Sequence, residues 1–269
     1  TPPVITGSFQ MCPGHSTAFT NTVPGGTWSS ANVAVGTINS TTGVFSSLSV
    51  GTSQITYSLL SGCSISRVVT VTPLPPAITG TTTFCRGNSV MLLNSVTGGT
   101  WTGSDASVIS VNAGTGVVTG IIAGTALVSY TTGAGCTVTT MVSVHPLPAT
   151  ITGTLSVCEG ATNTLANTSA GGAWISGNTT VATINTSTGV ATGVSAGIAY
   201  ITYTLPGGCA SYATLTVNAL PGAIGTVSVC QGSTTTLSPG SVSGTWSTAS
   251  PAVATVSAAG VVYGAAAGT

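Results

Sequence analysis

Seven cysteines are the residues of this chain best equipped for chemistry: Cys12, Cys63, Cys85, Cys136, Cys158, Cys209 and Cys230. A thiol can ligate a metal or bond a second thiol. Zinc sites need Cys and His at short recurring spacings such as Cys-x-x-Cys. No such pair occurs, and the two histidines, His15 and His145, do not recur with the cysteines. No metal and no cofactor are expected. Regular cysteines without that motif imply disulfides, an oxidising compartment and an extracellular or cell-surface location.

The cysteine spacing exposes a repeat. Trp28, Trp101, Trp174 and Trp246 lie 73, 73 and 72 residues apart. A cysteine stands 16 residues before each, and Cys63, Cys136 and Cys209 stand 35 after the first three. Self-similarity at a fixed period decides architecture before local signals do. The expected domains are residues 1–74, 75–147, 148–220 and a truncated fourth, 221–269. The joints are marked by "PLPP" (73–76), "PLP" (146–148) and "ALPG" (219–222). The fourth copy stops short of its second cysteine and the chain has no initiator Met, so the sequence reads as part of a longer protein.

Comparing copies sorts the remaining polar residues. Only Arg67, Arg86, Asp105 and Glu159 are charged in 269 residues. The position after each first cysteine is Pro13, Arg86, Glu159 or Gln231, as expected of a solvated turn. Asp105 aligns with Asn32, Asn178 and Ser250, short side chains that cap turns. His15 aligns with Asn88, Ala161 and Ser233. His145 aligns with Thr72 and Asn218 and is expected in a linker. No recurrent partner gives either histidine a triad or a metal, so no catalytic residue is expected and the chain does not read as an enzyme.

The elements that must position these residues have period two. In the third copy, "ATITGTLSVCEG", "TNTLAN", "GGAWIS", "TVATINTSTGVATGV", "AGIAYITYTL" and "ASYATLTV" read as seven short strands, rich in β-branched residues and punctuated by Gly, Asn and Ser. No stretch has helical period. The expected fold is all-β: tandem immunoglobulin-like β-sandwiches in a linear rod, with Trp28, Trp101, Trp174 and Trp246 filling the cores.

The strings "WSSANVAVGTINSTTGVFSSLSVGTSQITYS" and "WISGNTTVATINTSTGVATGVSAGIAYITYT" resemble the bacterial immunoglobulin-like domain, group 2, of invasin- and intimin-type surface proteins. The resemblance covers about the central two-thirds of each repeat. The flanking "PLPxxITG…VCxG" and "GC" elements resemble giant tandem-repeat surface proteins of gliding and filamentous Bacteroidota. The resemblance implies a surface-exposed stalk and carries over no catalytic residue.

Both cysteines of a repeat fall in turns. Five strands separate Cys158 from Cys209, and an odd number of antiparallel crossings puts them at opposite ends of a sandwich. Strands of that length span roughly 17 Å, whereas a disulfide needs Cα atoms within about 7 Å. Pairing between adjacent repeats, Cys12–Cys136 and Cys85–Cys209, avoids that conflict. Cys63, Cys158 and Cys230 would then pair beyond the chain. Pairing within repeats, Cys12–Cys63, Cys85–Cys136 and Cys158–Cys209, stays open if the strand count is off by one, as do interchain bonds.

Composition limits the partners. Without lysine, the chain has no basic stripe for nucleic acid or an anionic membrane surface. Two acids cannot build repeated calcium sites. No run of eighteen apolar residues crosses a membrane in this segment. With 42% hydrophobic residues and zero net charge, nothing opposes association, so lateral self-association of a structural fibre is expected. The alternative is a carbohydrate- or surface-binding array, recognisable by rows of outward Trp or Tyr. A glycan or cell-surface target could also be met by domains elsewhere.

Overall fold

A computed structural model describes residues 3–222, 224, 227–238 and 244–269. Every regular element among them is a β-strand. The expected fourth repeat is described only in part, because residues 223, 225, 226 and 239–243 lie outside the described residues. The chain divides into two compact units, Thr1–Leu147 with Pro206–Cys209, and Pro148–Leu205 with Ala210–Thr269.

The first unit holds two immunoglobulin-like sandwiches. In one, Gln10–Met11, Ser64–Val71, Gly51–Ser58 and Thr27–Ser30 form a sheet in that order, with a second sheet of Ser16–Ala18, Val44–Ser47 and Gly36–Ile38. In the other, the sheets are Thr100–Gly103, Gly124–Thr131, Thr137–His145, Thr83–Cys85, and Ile109–Val111, Val117–Gly120, Ser89–Leu93, Thr79–Gly80. Here the first strand divides. Thr79–Gly80 runs antiparallel to Ser89–Leu93, and Thr83–Cys85 then crosses to run parallel to Thr137–His145.

The second unit repeats the plan with Ser156–Cys158, Ala210–Asn218, Gly197–Thr204 and Ala173–Ser176 in one sheet and Thr162–Thr164, Val190–Gly193 and Ala182–Ile184 in the other. The unit also contains Thr234–Thr236, Val261–Gly264 and Ala254–Val256, which form a single sheet.

Each sandwich is organised by its last hairpin. Alternation along Gly197–Thr204 turns Ala199, Ile201 and Tyr203 inward, and along Ala210–Asn218 it turns Leu215 and Val217 inward. Period-two side chains can be buried on one face only, so hydroxyls of Thr202 and Thr204 take the other. Tyr57, Tyr130 and Tyr203, from the three hairpins, pack against Trp28, Trp101 and Trp174 with ring centroids 4.6, 4.7 and 4.7 Å apart. All three indoles are buried.

The phenol is also tied down at its polar end. Tyr57 accepts a hydrogen bond from Gly26 N–H (2.8 Å) and donates to Val23 C=O (2.7 Å). Tyr203 does the same with Gly172 N–H (2.9 Å) and Ser169 C=O (2.6 Å). Tyr130 bridges Gly99 N–H and Val96 C=O. This approach explains the Gly-Gly before the first three tryptophans: a Cβ on Gly99 would stand 2.4 Å from the Tyr130 ring.

Trp246 departs from the expected core set. It is only half-buried. Among the described residues of 221–269 the strands are Thr234–Thr236, Ala254–Val256 and Val261–Gly264, with none matching the last hairpin of the other repeats.

Trp101→Ala is predicted to cost about 3–5 kcal/mol, as core aromatic truncations do. Tyr130→Phe should cost about 1–3 kcal/mol, because it leaves Gly99 N–H and Val96 C=O unpartnered. Urea unfolding of both variants measures this. Losses below about 0.5 kcal/mol would show that the Trp–Tyr pair does not anchor the repeat.

Candidate functional site

The first cysteine of each repeat opens a tight turn. Asn88 N–H donates to Cys85 C=O (3.0 Å) and Ala161 N–H to Cys158 C=O (3.1 Å). The second cysteine closes the turn of the last hairpin. There Gly135 N–H donates to Thr132 C=O and Thr132 N–H to Cys136 C=O, each at 2.9 Å. Five strands, Thr162–Thr164, Ala173–Ser176, Ala182–Ile184, Val190–Gly193 and Gly197–Thr204, lie between Cys158 and Cys209. The two cysteines of one repeat are not bonded to each other.

Disulfides join Cys12 to Cys136, with Cα atoms 5.5 Å apart, and Cys85 to Cys209, at 5.7 Å. Each spans 124 residues. Cys63, Cys158 and Cys230 are free and exposed. Cys12, Cys136 and Cys209 are buried and Cys85 is half-buried. Ser47, itself buried, props the first turn: its hydroxyl donates to Cys12 C=O (2.7 Å) and accepts from His15 N–H (3.1 Å). Thr72 Oγ1 lies 3.3 Å from Cys136 Sγ.

The second cystine has a close packing requirement. The Gly207 backbone lies close against the His145 imidazole, and a Cβ there would lie 2.5 Å from the ring. In the preceding repeat the corresponding residues are Ala134 and Thr72. A bulky partner is thus matched by glycine and a smaller one by alanine. His145 is not in a linker, as expected above, but ends the strand Thr137–His145, opposite Cys85. Its carbonyl accepts Arg86 N–H (2.9 Å).

Glu159 also needs correction. Its carboxylate accepts Ala196 N–H (2.7 Å) and Leu220 N–H (3.5 Å), so it ties the cysteine turn to the start of the hairpin and to the next joint. A residue whose counterparts are Pro13, Arg86 and Gln231 reads as dispensable, but of the four only a carboxylate offers two separate acceptor oxygens, one for each amide. Arg86 is exposed, and so is Arg67, whose guanidinium lies 4.8 Å from the Phe9 ring centroid.

Asp105 caps its turn: Oδ1 accepts Ser107 Oγ–H (2.6 Å) and Ser107 N–H (2.8 Å). Asn32 and Asn178 accept equivalent backbone bonds from Ala34 and Thr180. These bonds, the Ser107 hydroxyl first, hold the Asp105 carboxyl below its ordinary value of 3.8. His15 is exposed, with Nδ1 3.3 Å from Pro13 C=O. Among the described residues, no three His, Cys, Asp or Glu side chains converge on a possible metal position. No described helix is long and apolar enough to cross a membrane.

No family model matches the chain. It is 32% identical over an alignment of 294 residues to ice-binding protein 1 of Shewanella frigidimarina (strain NCIMB 400), covering 90% of this chain and 32% of that protein. The chain therefore spans about a third of that relative's length. Among solved structures, an intimin fragment in complex with the intimin-binding domain of the translocated intimin receptor is 17% identical, covering 55% of this chain and 66% of that one, with a TM-score of 0.40. Domains 4 and 5 of the S-layer protein SbsC are 21% identical, covering 55% of this chain and 99% of that one, at a TM-score of 0.27. Superposition at these scores assigns no functional residue.

Two predictions follow from the turns. With no lysine, trypsin can cut only after Arg67 and Arg86. Digested under denaturing, thiol-blocked conditions, the three fragments should stay joined until reductant is added. Release of residues 1–67 without reductant would instead indicate Cys12–Cys63. Asp105→Asn should leave the melting temperature unchanged at neutral pH, because Asn fills this position in two other copies. The depressed carboxyl contributes stability above its ordinary value, and that stability is lost as pH falls through the lower folded value. Acid sensitivity of this turn should therefore vanish in the variant, as read from melting curves across the acid range.

Proposed function

We propose that the chain is a structural repeat segment of an extracellular surface fibre or adhesin stalk, not an enzyme, and that its copies associate laterally into multi-chain filaments. The observation that carries this reading is the bond from a turn of one repeat to the hairpin turn of the next, made twice at the same separation of 124 residues. Such staples serve a chain that must keep successive modules together. They do nothing for catalysis.

The outward faces of the hairpins support association. They carry rows of Thr and Ser with scattered exposed apolar residues: Val68 in the first, Leu127 and Met141 in the second, Ile198, Tyr200 and Tyr212 in the third. Apolar burial contributes about 25 cal/mol per Å², and small contacts on each repeat multiply along one chain. Nearly uncharged faces offer no repulsion.

The binding-array alternative draws on the same face. Tyr200 and Tyr212 are 66% and 73% exposed on adjacent strands, suitable for stacking on a sugar ring. Their counterparts are Leu127 and Thr139, and Gln54 and Ser66, so the aromatic pair does not recur and no row forms. The buried tryptophans supply none either. The relative named for ice binding extends well beyond the stretch matched here, so its named activity does not discriminate between the two readings.

Sedimentation of the full chain over a concentration series is expected to show association that persists at high salt, because few charges take part. A clean monomer at high concentration would leave a lone stalk. Dissociation by salt alone would show that the physical cause is not apolar and hydroxyl contact.

A further inference from the structure

We infer that the two disulfides form a redundant tether that limits how far the chain can be stretched, whatever happens to the sandwiches. The inference rests on the stalk reading for its biological sense, but its physics needs only the connectivity. Cys12–Cys136 and Cys85–Cys209 are interleaved: each bond has one cysteine inside the loop closed by the other and one outside it. The segment Cys85–Cys136, which holds five of the second sandwich's strands, belongs to both loops.

Tension between the ends follows the shortest covalent route. That route runs from Thr1 to Cys12, across to Cys136, backward to Cys85, across to Cys209, and on to Thr269. It contains about 120 residues instead of about 270, so full unfolding is held roughly 500 Å short of the free chain at about 3.5 Å per residue. The mature sheets are hydrogen-bonded and open locally at modest free energy, whereas the tether is covalent.

Interleaving makes loss of one bond nearly harmless. With either bond alone, a loop of 124 residues is still withheld. Removing the first bond thus lengthens the route by only about 22 residues, or about 75 Å, and removing the second releases about 430 Å more. Three bonds within repeats would behave differently. Each would withhold its own 51 residues, and each loss would add about 180 Å independently. The asymmetry is a property of inter-repeat pairing, and it protects a fibre against reduction or rupture at a single cystine.

The test is single-molecule extension of the intact chain held at its two termini. Four forms are compared: oxidised wild type, Cys12→Ser/Cys136→Ser, Cys85→Ser/Cys209→Ser, and wild type with reductant added after folding. The last needs no substitution and so covers the case in which a variant folds poorly. Final contour lengths are expected to rise by about 75 Å in either double variant and by about 500 Å on full reduction. Equal increments for each bond, or no change with reductant, would overturn the tether. A chain that shows the expected lengths but never reaches the cell exterior would overturn the stalk reading and leave the tether standing.

Discussion

The last hairpin of each repeat is the constraint on which the others depend. One face of Gly124–Thr131 and its partner Thr137–His145 supplies Tyr130, Val128, Val142 and Val144 to the core. Its edge receives the first strand in parallel, and its turn holds Cys136. The tyrosine alone joins three things: it covers the tryptophan, caps Gly99 N–H and forces that glycine to lack a side chain. The partly described fourth copy shows the converse. Among its described residues there is one sheet and no last hairpin, and Trp246 is half-buried.

A nearly uncharged chain must satisfy its backbone by other means. Repeated asparagines do much of this. Asn21 and Asn94 each accept from an amide two residues on and donate to Pro3 or Pro76 C=O, and Asn167 does the same with Ser169 and Ala149. Asn39, Asn112 and Asn185 each accept two turn amides. These are bonds between neutral groups, some within a turn and some across 18 residues. They fit a protein whose polar surface is hydroxyl and amide instead of ionic. The same substitution of amides for ions leaves the outer faces free to meet like faces, which links the internal economy of the repeat to the association proposed for it.

The cystines and the hairpin work at different scales. The hairpin fixes each core through apolar packing, and its inward alternation would be lost by a slip of one residue. The cystines act between repeats and on the unfolded chain, where closing a long loop removes conformational freedom. His145 and Gly207 show how the two meet: a side chain at the end of one hairpin sets the residue permitted at the turn of the next.

The sequence by itself determined the period, the strand alternation, the inward Trp28, Trp101 and Trp174, and the turn role of Asp105, because each is a local or repeated pattern. It could also have revealed Tyr57, Tyr130 and Tyr203, whose spacing of 73 matches that of the tryptophans. That signal is weak because other tyrosines of the chain, Tyr200, Tyr212 and Tyr263, share no such period and read as ordinary strand residues. Strand parity in the sequence favoured pairing between repeats, but only the Cα separations of the tertiary structure decided which cysteines meet. It alone put His145 in a strand and gave Glu159 two amides to hold. Those outcomes depend on which backbone groups arrive beside a side chain from distant positions, and no pattern within one repeat encodes that distance.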